Sequence, residues 1–232
     1  MIKIKLLLLF LIANCQLSIV NCQLPVVEYL RIADNQSVLY YGKEQDGYPR
    51  ILNHPYFKDD RPAKARLSYC GVVYPQAMLR LDLHRDELVA LSPDNRSIVL
   101  FPENVDYAEL HGQKIIYFRS DSLRGCPDSG YYILLYSGKC NVLKKQTADI
   151  MVNTSNITRL EHYFNFSTKY YLYKDGVYYT IRNKMGLLRV LRPYKHELKR
   201  FIASNKLHFR QNAEEFIFRT VSEYEKIADY DF

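Results

Sequence analysis

The chain of 232 residues has no tryptophan and only five cysteines, nine glycines and nine prolines. So few cysteines exclude a small scaffold stapled by several disulfides, and so little glycine and proline excludes a collagen-like or low-complexity chain. Beyond residue 22 no apolar run approaches the ~18 residues of a membrane-crossing helix, so a soluble or peripheral chain is expected. HExxH, GxSxG, a phosphate-cradling glycine loop and a dinucleotide fingerprint are all missing. The six histidines, His54, His84, His111, His162, His196 and His208, include no pair four residues apart, so no helical metal site is encoded locally. These absences argue against an enzyme, and no cofactor is expected.

What is present begins with an export address. Met1-Ile-Lys-Ile-Lys5 is a short basic start, and Leu6 to Ala13 is an apolar stretch long enough for a signal-peptide core and too short to span a bilayer. Val20 and Cys22 are small enough for the two positions that guide a signal-peptidase cut, which makes residues 1–22 the signal peptide and Gln23 the mature N-terminus. A lipidated Cys15 or Cys22 is the rival reading, disfavoured by the Asn that precedes each. Cleavage removes Lys3 and Lys5 and no acid, which lowers the net charge from +7 to +5. Cys70, Cys126 and Cys140 then remain, an odd number. Free thiols are expected, with a Cys126–Cys140 bridge as the open alternative.

From Val38 to Ile181 short runs rich in Val, Ile, Leu, Tyr and Phe are cut about every ten residues by turn chemistry, the pattern of antiparallel hairpins. Leu79, Leu81 and Leu83 alternate with Met78, Arg80 and Asp82, and a turn at His84-Arg85-Asp86 leads into Glu87–Leu91. Further turns fall at Cys70-Gly71, His111-Gly112, Ser137-Gly138 and, most clearly, Asp175-Gly176, because a two-residue hairpin needs positive φ at both centres. Near the C-terminus Pro193 suits a first helical turn, Leu198, Phe201 and Ile202 share a face, and Asn205 is a plausible left-handed stop. Asn212-Ala-Glu-Glu215 has capping-box spacing ahead of an apolar stripe from Phe216 to Ile227.

Two surface features stand out. Residues 181–210 set Arg182, Lys184, Arg189, Arg192, Lys195, Lys199, Arg200, Lys206 and Arg210 against the single acid Glu197. Of these, Arg189, Arg192, Lys195, Lys199, Arg200, Lys206 and Arg210 are the candidate contacts for an anionic surface, weighed against a merely solvated helical face. An exported chain rarely meets nucleic acid, so that partner is not expected. Tyr171, Tyr173, Tyr178 and Tyr179 crowd one hairpin and are the candidates for an aromatic platform, weighed against cross-strand packing. Asp59-Asp60, Asp82 and Asp86 fit loops and turns better than acid–base catalysis.

Several segments together resemble a family of exported, signal-peptide-bearing envelope proteins of the Bacteroidota. They are Tyr40-Tyr-Gly-Lys-Glu44, Asn53-His-Pro-Tyr-Phe57, Val73-Tyr-Pro75 with Leu79-Arg-Leu81, Asp86-Glu-Leu-Val89, Gly130-Tyr-Tyr132, Tyr173–Tyr179 and Glu197-Leu-Lys with Asn205-Lys-Leu207. The resemblance spans nearly the whole mature chain and implies an envelope location without an assigned activity. It carries over no functional residue.

The fold expected is mainly β, a β-rich α+β domain of antiparallel hairpins forming a curved sheet or open barrel, with a C-terminal helical hairpin packed on it. Residues 23–190 are assigned to the β domain and 191–230 to the helical hairpin on the same domain. The leading function is an exported, non-catalytic accessory or interaction protein of the periplasm or outer envelope, with an envelope protein or an anionic lipid or glycan surface as partner. The alternative is a carrier or sensor of a lipid or other apolar ligand in a half-barrel cavity lined by Leu79, Leu81 and Leu83. A hydrolase assembled from distant residues is the third reading.

Overall fold

A computed structural model describes residues 38–153 and 160–230. The expected signal peptide lies outside the described residues. By contacts the chain divides into residues 1–41, of which Val38–Tyr41 are described and close a turn from Tyr41 N–H to Val38 O at 3.2 Å, and residues 42–232. The sheet and the helices belong to the second unit.

The strands are β1 (Lys43–Glu44), β2 (Ala63–Tyr69), β3 (Val72–Asp82), β4 (Glu87–Leu91), β5 (Ser97–Val99), β6 (Val105–Leu110), β7 (Gln113–Phe118), β8 (Gly130–Ser137), β9 (Asn141–Asn153), β10 (Glu161–Lys174) and β11 (Val177–Ile181). They form one curved, unclosed antiparallel sheet in the order β1-β5-β4-β3-β2-β6-β7-β8-β9-β10-β11. The turns are those the residue types demand. Cys70-Gly71, His111-Gly112 and Asp175-Gly176 each place both centres at positive φ, between 51° and 77°, the twist that two-residue hairpins need. Between β8 and β9 the turn is longer than Ser137-Gly138 suggests: Ser137 pairs with Asn141, so Gly138, Lys139 and Cys140 make the loop.

Register explains the core. Leu67, Ala108, Ile115, Ile133, Lys144, Tyr170 and Ile181 pair successively across seven strands, so they line one face. All but Lys144 are apolar or aromatic. Leu79 and Leu81, at 0 % and 3 % exposed, are packed core. The ladder stops short of closing, but the chain bridges the gap: Ala148 N–H donates to Leu83 O at 3.1 Å, and His84 Nδ1 lies 2.8 Å from Ala148 O. A strap before β2 strengthens this. Leu52 N–H reaches His162 O, Asn53 clasps both backbone groups of Phe164, and Phe57 N–H reaches Leu81 O.

The helices are α1 (Lys184–Val190), α2 (Lys195–Ser204) and α3 (Ala213–Tyr230), with a 3-10 turn at Arg192–Tyr194. Helical structure therefore begins before residue 191: α2 and α3 are the two helices expected within 191–230, and α1 precedes them. Asn183 explains the missed one, since its side chain caps α1 by accepting Gly186 N–H at 2.8 Å. Asn205 is not the left-handed residue: its φ is −90°, and Lys206 takes the positive φ of 51°. The Asn212 cap stands, with Glu215 N–H donating to its Oδ1 at 3.0 Å. Leu187, Leu188, Leu198, Ile202, Phe216, Ile217 and Val221 pack with Val142, Leu172 and Ile181 into one cluster, so the helices cover that end of the sheet.

Candidate anion-binding face

Helical periodicity separates the core face of α2 from its basic face. Leu198 and Ile202 are buried, while Lys199 and Arg200 between them are exposed. Arg189, Arg192, Lys206 and Arg210 are also exposed, and Lys195 is half-buried. Among the described residues, the ion pair found within this set is Arg200 with Glu197 at a loose 3.8 Å. Arg219 behaves differently, since it donates to Asn205 Oδ1 at 2.6 Å and lies beside Glu215. The basic face is thus largely unneutralised.

Where α1 begins and the segment after α2 passes, Lys184 and Arg210 border a groove of about 360 Å³ that the cation count alone does not reveal. Leu207 and Phe209 line it, both packed into the core, Phe209 against Phe216 with ring centres 5.5 Å apart. Lys184, His208 and Arg210 add polar and charged lining, and Met185 stands 57 % exposed beside them. The signal in the sequence was Met185, Leu207 and Phe209 interrupting the run of cations. Such a groove offers an anion charge and an apolar side chain a seat.

The tyrosines do not form one platform. Tyr179 pairs with Leu172 and faces opposite to Tyr173 and Tyr178, which pair with each other. Tyr173 and Tyr178 lie 4.8 Å apart, Tyr178 meets Phe118 at 5.6 Å, Phe118 meets Tyr132 at 5.5 Å, and Tyr132 meets Tyr171 at 6.1 Å. The loop between β7 and β8 lies against this cluster. Arg124 bridges to Val177, Tyr178 N–H donates to Arg124 O at 2.9 Å, and Tyr132 Oη donates to Asp128 O at 2.8 Å. Gly125 permits the approach, because its φ is 72° and a Cβ there would sit 2.3 Å from Tyr178 O. Burial raises the phenol pKa of Tyr132, Tyr171 and Tyr178, as expected of a second small core.

Compared with models of known families, with curated proteins and with solved structures, the chain matches none of them.

The carboxylates are occupied. Asp82, fully buried, accepts the Tyr48 hydroxyl at 2.6 Å, Gln45 Nε2 at 2.9 Å and the backbone N–H groups of His84 and Arg85 at 2.9 and 3.0 Å. Burial and the Asp82 hydrogen bond hold the Tyr48 phenol far above its ordinary pKa. Asp86 sits at φ 57° in its turn and pairs with Lys145 at 2.6 Å. The backbone and side chain of Arg61 hold the exposed Asp59 carboxyl well below the usual range. Among the described residues no three His, Cys, Asp or Glu side chains converge as a metal site. Cys70, Cys126 and Cys140 are free thiols. No helix among the described residues is long and apolar enough to cross a membrane.

Proposed function

We propose that the protein is an exported accessory protein of the periplasm or outer envelope, without catalysis of its own, that docks on an anionic partner through its helical face. One observation carries this: Arg189, Arg192, Lys199, Arg200, Lys206 and Arg210 are all exposed on the helical layer, the acid found against them is the loosely placed Glu197, and Arg210 with Lys184 lines an apolar-based groove. Like charges fixed on a packed scaffold repel one another, and an anionic surface relieves that repulsion while the groove supplies shape. The export address rests on Lys3 through Cys22 and on the family resemblance. Of the three leucines expected to line the cavity of an apolar carrier, Leu79 and Leu81 are buried in the core, and Leu83 lines a cleft beside the strap.

The test compares the mature protein with a variant carrying Arg189→Glu, Arg192→Glu, Lys199→Glu and Arg200→Glu. Each is measured on anionic and zwitterionic phospholipid vesicles, on a sulfated polysaccharide and by capture from envelope extract. Binding that weakens with salt and disappears in the reversed variant is expected. Equal behaviour of the two proteins on every anionic surface would sink the proposal.

A further inference from the structure

On the core-facing side of β9, beside the strap, lies a cleft of about 390 Å³, within the usual size of small-molecule sites. Buried Phe57 and Leu83 line its base, and Phe166 lines it at 44 % exposed. An aromatic face left half open over an apolar base offers a packing surface that the protein itself does not fill.

The polar groups around it are complementary to a hydroxyl. Gln146 lines the cleft, and its Oε1 is buried without a hydrogen-bond donor among the described residues. A buried acceptor is costly when left unpaired, so a donor brought in through the cleft, a water or a ligand hydroxyl, would stabilise it. His54 supplies the opposite sense. Its Nδ1 accepts Tyr56 N–H at 3.2 Å, which puts the proton of the neutral ring on Nε2 and makes that N–H a donor. The Tyr56 ring stacks on His54 at 6.2 Å and is itself held by the Arg80 guanidinium at 4.1 Å, so the imidazole is positioned in advance.

Charge narrows the ligand further. Lys144 borders the cleft, but its ammonium is paired with Glu214 at 2.5 Å, and Lys58 donates to His111 O at 3.1 Å. A cation meets two ammonium groups, while the one charge without an acid partner, on exposed Lys58, is screened by water and gives an anion little hold. A purely apolar ligand would leave Gln146 Oε1 unpaired.

We propose that this cleft binds a neutral sugar ring. Its C–H face packs on Phe166, one hydroxyl donates to Gln146 Oε1, and another oxygen accepts from His54 Nε2–H. The site is separate from the basic helical groove, so the two stand or fall independently.

Saturation-transfer NMR on the mature protein tests this with a panel of neutral hexoses, a second panel of their α- and β-linked oligomers, and adenosine and a medium-chain fatty acid as controls. Saturation of sugar C–H protons is expected, and the two panels distinguish a free sugar from a glycan unit. Phe166→Ala and Gln146→Leu, each checked for a native circular-dichroism spectrum, should weaken binding by about tenfold or more, while Arg210→Glu leaves it unchanged. Absence of saturation in both panels, binding of adenosine or fatty acid in their place, or full affinity in Phe166→Ala overturns the proposal.

Discussion

Glu225 of α3 accepts the backbone N–H of Cys140 at 2.5 Å, and the same carboxylate accepts the Tyr136 hydroxyl at 2.9 Å. One buried acid thus ties the last helix to the loop joining β8 and β9. Glu225→Ala leaves a buried N–H and a hydroxyl without their acceptor, and a loss of about 3 kcal/mol is expected in urea unfolding. Gly138→Ala acts on the same joint, because a Cβ there would lie 2.3 Å from Glu225 Oε2. Displacing the carboxylate should cost about 1 to 2 kcal/mol.

The buried pair Lys144 and Glu214 predicts an asymmetry. Lys144 is 5 % exposed, whereas the Glu214 side chain is 34 % exposed and also accepts Gln113 Nε2 at 3.2 Å. Glu214→Ala strands an ammonium in the core row and should cost about 2 to 3 kcal/mol. Lys144→Met leaves a carboxylate that reaches water and should cost less than about 1 kcal/mol. Equal losses in chemical denaturation would refute this account of the row.

Stability should fall in alkali. Burial, with the Glu225 charge adding to it, pushes the Cys140 thiol up to about 11, and burial pushes the Tyr136 and Tyr170 phenols up to about 12. Above the ordinary thiol value near 9 the unfolded chain gives up protons that the folded chain retains, so the folded state loses ground as pH rises. The contribution is whole below about pH 9 and is lost as pH climbs through about 11 for Cys140, then about 12 for the phenols. Melting temperature measured across this range should be flat and then drop, and Cys140→Ala should flatten the first part of the drop.

Much of the sheet was legible because its information is local. Asp175-Gly176 and His111-Gly112 specify their hairpins by backbone conformation alone, and alternation at Leu79, Leu81 and Leu83 specifies the buried face. The same period of two assigns Tyr178 and Tyr179 to opposite faces, so a four-tyrosine platform was excluded by adjacency. The basic helical face was legible as composition. Its groove was not, since Met185 and Phe209 come together only when α1 and the segment after α2 meet.

What escaped the sequence is held by contacts between distant residues. Asp82 falls on the face expected to be polar, yet Gln45 and Tyr48, 37 and 34 residues earlier, bury it completely. Lys144 looks like any strand lysine until Glu214, 70 residues later, reaches it. No local period encodes such partners, and the strap from Leu52 to Phe57 carries no regular pattern at all.

That strap makes the last prediction. Asn53 donates through Nδ2 to Phe164 O at 2.9 Å and accepts Phe164 N–H at Oδ1 at 2.7 Å, so one side chain satisfies both backbone groups as a neighbouring strand would. Phe164 is buried, and water cannot readily take over the freed groups. Asn53→Ala should therefore cost about 2 kcal/mol and loosen the strap locally before the sheet unfolds. Asn53→Asp should cost at least as much, because a carboxylate can accept from Phe164 N–H but cannot donate to Phe164 O. Limited proteolysis gives the readout: faster cleavage at exposed Arg50 in both variants, with β8 and β9 still protected in hydrogen exchange, fits a clasp that holds the strap alone. Uniform loss of protection across the sheet would instead make Asn53 part of the global core, and unchanged cleavage would show that the Phe57 and Leu52 backbone bonds hold the strap without it.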